Sequence, residues 1–212
     1  MSSATRTILV TGFEPFGVEA VNASWEAARK LEGWRRGEFT AVARLLPCAY
    51  DTSVKELIRA IETLKPEAVL MTGQAAQRAV VCVERFARNL DDAAAPDNLG
   101  VLRKAVAISE GGAERLEAAA PVRAIAAAIR EAGIPARESR IAGGFVCNHL
   151  YFGALQYLRD SGRATPAVFV HLPATPRQTR RVAGVRPLAS AKAAKALRAA
   201  AAAMVDVRPK PA

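Results

Sequence analysis

The chain has 212 residues, 51% of them hydrophobic, with a formal net charge of +10 and an isoelectric point near 10.2. That length and apolar content suit one domain with a substantial core, although 46 alanines inflate the apolar share. No run of about 18 apolar residues could span a bilayer, and Met1 to Arg6 lead into a strand-like run without a signal-peptide core, so a cytoplasmic protein with no membrane partner is expected. Cys48, Cys82 and Cys147 are an odd number without CxxC spacing, which points to free thiols and to neither a disulfide framework nor a thiolate metal site. The positive charge is uneven: residues 177–212 hold nine Lys or Arg against one acid, Asp206. Without aromatic interleaving or a nucleic-acid module signature, that region reads as a solvated basic face, and no nucleic-acid partner is expected.

In chain order, Thr7 to Val10 reads as a strand entering the loop Thr11-Gly12-Phe13-Glu14-Pro15-Phe16-Gly17. Asn22 or Ser24 can cap a helix running to about Leu31, and Thr40 to Leu46 alternates as a strand. Asp51 then caps a helix carrying Val54, Leu57, Ile58 and Ile61. Glu67 to Met71 is a buried strand ending at Thr72-Gly73-Gln74, and Ala79 to Val83 is another. Asp91 to Gly100 is a polar, turn-rich loop of the kind that often carries function. Further elements are a helix from Pro121 to Ala132, a strand from Arg137 to Ile141, a helix from Cys147 to Leu158, a strand from Ala167 to His171 and an alanine-rich helix from Ala189 to Met204. Alternating strands and helices predict an α/β fold around a largely parallel sheet. No internal repeat or linker divides the chain, so residues 1–207 read as a single domain and 208–212 as a disordered tail.

The chemistry centres on Ala142-Gly143-Gly144-Phe145-Val146-Cys147-Asn148-His149 and on Phe169-Val170-His171-Leu172-Pro173. A cysteine after a glycine turn at a helix start is pushed towards thiolate by the helix dipole, and the free N–H groups there can hold an oxyanion. The chain has two histidines, which makes the search for a base short. His149 follows Cys147 by two positions, about 200° around a helix, and is poorly placed to meet it. His171, at the carboxyl end of a strand, is the better base. A carboxylate flanked by apolar residues, Glu84 in Val83-Glu84-Arg85-Phe86, can orient the imidazole. Each residue also has a commoner structural role: Cys147 as a buried thiol, His171 as a satisfied core histidine, Glu84-Arg85 as a surface pair, Phe13 and Phe16 as core aromatics.

The segments Thr11 to Gly17 with Asn22-Ala23-Ser24, Glu84-Arg85 leading to Asn89 and Pro96-Asp97-Asn98-Leu99-Gly100, Ala142 to Asn148, and Val170-His171-Leu172-Pro173 together resemble the pyroglutamyl peptidase I family, in order and over nearly the whole chain. The resemblance implies a single-domain three-layer α/β/α sandwich and a cysteine peptidase that removes N-terminal pyroglutamate from peptides without a cofactor, often as a homotetramer. By position, Cys147 matches the family's nucleophile, His171 its base and Glu84 its orienting acid. Phe13 and Phe16 match the aromatics that flank the lactam ring, Gln74 a position at its polar edge, and Phe145 and Val146 pocket walls. The chain departs from the family pattern at Gln77, Arg88, Ala95 and Ile141, and Ala95 for a larger aliphatic residue predicts a looser slot. The altered positions keep an alternative open, a relative acting on another amide or only binding.

Overall fold

The computed structural model describes residues 6–179 and 186–206. The strands are β1 (Arg6–Phe13), β2 (Arg35–Arg36), β3 (Phe39–Leu46), β4 (Ala68–Gln74), β5 (Val81–Glu84), β6 (Phe86–Arg88), β7 (Arg115–Glu117), β8 (Ala136–Ser139) and β9 (Ala167–Leu172). The helices are α1 (Ala23–Ala28), α2 (Tyr50–Leu64), α3 (Val122–Glu131), α4 (Val146–Asp160), α5 (Pro176–Thr179) and α6 (Ser190–Asp206). Seven strands make one sheet in the order β2-β3-β1-β4-β9-β5-β8, and β6 and β7 form a separate antiparallel ribbon. The pairs β1/β3, β1/β4, β4/β9 and β5/β8 are parallel, while β5/β9 and β2/β3 are antiparallel.

The central strands are apolar along their length because helices cover both faces. On one face, Ile8, Val10, Leu70, Val168 and Val170 pack against Ala27, Ile125, Ile129 and Leu197 of α1, α3 and α6. On the other, Leu9, Val69, Met71 and Phe169 meet Leu57 and Ile61 of α2 and Leu150, Ala154 and Leu158 of α4. Helix, sheet and helix make an α/β/α sandwich. In α6, Ala193, Ala196, Ala200 and Ala203 present a small-residue face that lets the helix lie close against its neighbours.

Several boundaries differ from the sequence reading. Asn22 caps α1, accepting from the Ser24 amide, and a 3-10 turn, Arg29–Leu31, ends the segment. Asp51 does not cap α2: Ala49 is the N-cap residue, and Asp97 from a distant loop accepts from the Tyr50 amide at 3.0 Å. β5 begins at Val81 rather than Ala79, and β8 spans Ala136–Ser139 rather than reaching Ile141. The expected tail, Arg208 to Ala212, lies outside the described residues, as do Arg180 and Arg181 of the basic face. Among the described residues, no helix is long and apolar enough to cross a membrane.

Candidate active site

The carboxyl ends of β1, β4 and β9 bring Phe13, Gln74 and His171 to one edge of the sheet. Gly73 and His171 are register partners on neighbouring parallel strands. A Cβ built on Gly73 would lie 2.7 Å from the Cys147 sulfur and 2.7 Å from Phe169 Cζ, so only glycine lets the thiol settle over this strand beside the position of His171. Cys147 is the second residue of α4, whose N-cap residue Phe145 makes no side-chain cap, leaving the first-turn N–H groups as donors for an incoming anion. The preceding turn is held by close packing: Asp92 donates its amide to Gly144 O at 2.8 Å, and a Cβ on Gly144 would lie 2.8 Å from Asp92 O.

His171 and Glu84 meet across the antiparallel pair β5/β9, with Nδ1 2.8 Å from Glu84 Oε1. Glu84 is fully buried and His171 is 4% exposed. A carboxylate can only accept, so Nδ1 carries the proton and Nε2 keeps its lone pair, the tautomer a general base needs. Arg78 donates to the same Glu84 oxygen and to Ile141 O, balancing a carboxylate that would otherwise be a buried lone charge. Tyr151 donates its hydroxyl to the Glu84 backbone carbonyl at 3.0 Å and holds that strand end. Arg78 and Tyr151 were not singled out in the sequence, since neither is near Glu84 in a recognisable motif.

Burial governs the charges here. It pushes the Cys147 thiol well above its ordinary value, with Cys48 and the Glu84 carboxylate adding to the effect and Arg78 and the local backbone N–H opposing it. The push towards thiolate at the helix start is opposed here, because desolvation favours the neutral thiol more than the helix terminus favours the anion. His171 is lowered by burial, against the hydrogen bond and charge of Glu84 and with help from Arg78. Both shifts favour the neutral thiol and the neutral imidazole.

A cleft of about 90 Å³, open to solvent, runs up to Cys147. Phe13, Phe16 and Phe145 supply its aromatic walls, and Gln74 its polar end. Phe16 and Phe145 have ring centroids 4.9 Å apart, and Phe145 rests edge-on against Tyr50 at 5.7 Å. Phe13 is 2% exposed and belongs to the core as well as to the cleft wall. Val146 is fully buried in that same core and does not line the cleft. Glu19, Val21, Asn22 and Cys48 line it without having been expected from sequence. The departures from the family pattern all lie elsewhere: Gln77, Arg88, Ala95 and Ile141 are exposed, and Ala95 contributes nothing to the cleft wall.

His149 points away from this site. Its Nδ1 lies 2.8 Å from Asp91 Oδ2, its Nε2 3.3 Å from Asp51 Oδ1, and its ring stands edge-on to Tyr50 at 5.3 Å.

The family model for pyroglutamyl peptidase matches residues 6–207. The chain belongs to the pyroglutamyl peptidase family. A pyrrolidone-carboxylate peptidase of Cupriavidus necator is 41% identical over 204 residues, covering 96% of this chain and 94% of that protein. One from Erwinia tasmaniensis is 44% identical over 173 residues, covering 82% of this chain and 80% of that one. Among solved structures, the crystal structure of pyroglutamyl peptidase I from Bacillus amyloliquefaciens superposes with a TM-score of 0.91 at 35% identity, over 94% of this chain and 96% of that chain. A variant of the pyrrolidone carboxyl peptidase of Pyrococcus furiosus gives a TM-score of 0.90 at 30% identity, over 94% of this chain and 98% of that one. The α/β/α architecture is thus the pyroglutamyl peptidase fold.

Proposed function

We propose that this protein hydrolyses the amide bond after an N-terminal pyroglutamyl residue, through a covalent intermediate on Cys147. The observation that carries the reading is the cleft itself: aromatic walls and one glutamine end enclose a space that opens onto a thiol at an uncapped helix start. A lactam ring has flat apolar faces and a polar edge, which is the complement of that lining. A glutamyl side chain would bring a charge that the walls cannot compensate.

In the proposed mechanism, His171 Nε2 takes the proton from Cys147 as its sulfur attacks the carbonyl carbon. Developing imidazolium charge is then stabilised by the Glu84 carboxylate at Nδ1. The first-turn amides of α4 receive the oxyanion, which reverts to a carbonyl as the C–N bond breaks. His171 returns its proton to the leaving amine. Water, deprotonated by the same imidazole, cleaves the thioester and releases pyroglutamate, and the imidazolium returns its proton to the departing Cys147 sulfur. Both shifts favour a start from the neutral pair, with the thiolate formed only as the sulfur attacks.

Release of aminomethylcoumarin from its pyroglutamyl, prolyl and glutamyl amides tests the reading. Turnover of the pyroglutamyl amide alone is expected, and equal turnover of the prolyl amide, or none of the pyroglutamyl amide, refutes it.

A further inference from the structure

Gln74 ends β4 at the cleft, and Gln178 lies 104 residues later on α5, just beyond the turn that follows His171. The two amides touch, and backbone donors fix the orientation of each independently. Gln178 Oε1 accepts the Thr175 N–H at 2.9 Å, so its NH₂ group must face the other way. That group donates to Val21 O at 3.1 Å and to Gln74 Oε1 at 3.0 Å. Gln74 Oε1 also accepts the Ala23 N–H at 2.7 Å, which assigns its oxygen a second time. Both acceptor sites of the Gln74 oxygen are used within the fold. Its Nε2 has no partner among the described residues, and Gln74 lines the cleft. Asn22, the other amide on the wall, is spent within the fold: it accepts from Ser24 and donates to Glu14 O.

We infer that Gln178 is a positioning residue that locks the Gln74 amide with its NH₂ group towards the ligand, so that the cleft reads a carbonyl oxygen on the ring it holds. The inference rests on the pyroglutamyl reading for the identity of that ring, whose lactam oxygen is the acceptor. A ring without this oxygen leaves a desolvated donor unpaired, and sites built on such a hydrogen bond reject the analogue lacking it more strongly than apolar walls do. Gln178 touches neither the thiol nor the imidazole in the contacts described, so its effect falls on ring binding rather than on the chemical step.

Reversing the lock tests this. A carboxylate in Gln178→Glu would sit against Gln74 Oε1 and turn that amide round, aiming an oxygen at the lactam oxygen. Gln178→Leu removes one partner and leaves the Ala23 N–H holding the amide. KM and kcat for pyroglutamyl-aminomethylcoumarin, the dissociation constant of 2-pyrrolidone by NMR titration, and the melting temperature are compared across both variants and the parent. For Gln178→Glu, KM and the 2-pyrrolidone constant should rise about tenfold or more with kcat within about threefold, and Gln178→Leu should fall between. Unchanged KM and 2-pyrrolidone affinity in a folded Gln178→Glu, or a fall in kcat alone, overturns the inference. If Gln178→Glu does not fold, Gln178→Leu decides by the same two constants. A parent protein that binds 2-pyrrolidone in a Gln178-dependent way but leaves pyroglutamyl amides intact would preserve the inference and refute the proposed activity. Failure of the parent to bind 2-pyrrolidone overturns the inference itself.

Discussion

His171 Nδ1 and Glu84 Oε1 lie 2.8 Å apart on adjacent antiparallel strands, with the carboxylate wholly buried and shared with Arg78. The pair sets the tautomer of the imidazole and, in the proposed mechanism, places a negative charge where a positive one forms. Glu84→Gln keeps an acceptor for Nδ1 but removes that charge and allows the amide to turn and select the wrong tautomer. The expected result is a fall in kcat of about 10²- to 10⁴-fold with KM little changed, read from steady-state kinetics on a pyroglutamyl amide.

The same burial sets the pH profile. Because His171 is lowered, the base stays neutral below the ordinary imidazole value of 6.5, and the acid limb of kcat/KM should lie below that pH. Because the Cys147 thiol is raised, its ionisation should not limit activity until above its ordinary value of 9.0. Stability follows with the opposite reference state. The unfolded chain binds the extra proton on His171, so that contribution is lost as pH falls below about 6.5 towards the folded value. It loses the thiol proton more readily, so the Cys147 contribution falls as pH rises above about 9. Melting temperature measured from pH 5 to 10 should therefore peak between those limits, and an acid limb of kcat/KM above 6.5 would contradict the burial argument.

Phe13 and Phe16 share the cleft but differ in what else they hold. Phe13 is part of the core, so Phe13→Ala should cost roughly 3–5 kcal/mol of stability as well as ring binding. Phe16 is half-buried and rests on Phe145. Its removal should raise KM while costing less than about 2 kcal/mol. Denaturant melts beside kinetics separate the two effects, and an equal loss of stability in both variants would place Phe16 in the core.

In the proposed mechanism His149 supports the fold and takes no part in the reaction. His149→Ala leaves Asp91, which is fully buried and already has one unpartnered oxygen among the described residues, with Arg103 as its remaining ionic partner. Stability should fall by about 1–3 kcal/mol, with kcat kept within about threefold. Loss of activity in a variant that melts normally would give His149 a place in the chemistry.

The sheet was legible in the sequence because its parallel strands are short apolar runs closed by turn residues, as in Ile8 to Val10 before Gly12 and Val168 to Val170 before Pro173. The helix faces were legible from spacing, as with Leu57 and Ile61. What escaped was set by partners far along the chain. Asp51 carries the local signature of a cap, yet Arg103 Nη2 lies 2.6 Å from Asp51 Oδ2 while Asp97 caps the helix instead. The β6/β7 ribbon has three residues per strand and is supported by Arg85, Arg115 and Arg140 over the Phe86 ring, a pattern with no period to detect. At the site, Cys147, His171 and Glu84 could be picked out by residue type and family motif. Val146 could not be told from a wall residue, because neighbours on a helix start face different ways. Ala95 carried an expectation of a looser slot that its exposed position does not support.

Hydrolysis of a pyroglutamyl amide by Cys147→Ser, set against the parent, Cys48→Ser and Cys82→Ser, tests the central claim most directly. Cys147 is the thiol at the cleft's helix start, over Gly73, the register partner of His171, whereas Cys48 lies on the cleft wall away from that helix and Cys82 is fully buried within β5. A loss of about 10³-fold or more is expected in Cys147→Ser with an unchanged melting temperature, and activity close to the parent's in the other two. Parent-like turnover by a folded Cys147→Ser would contradict it.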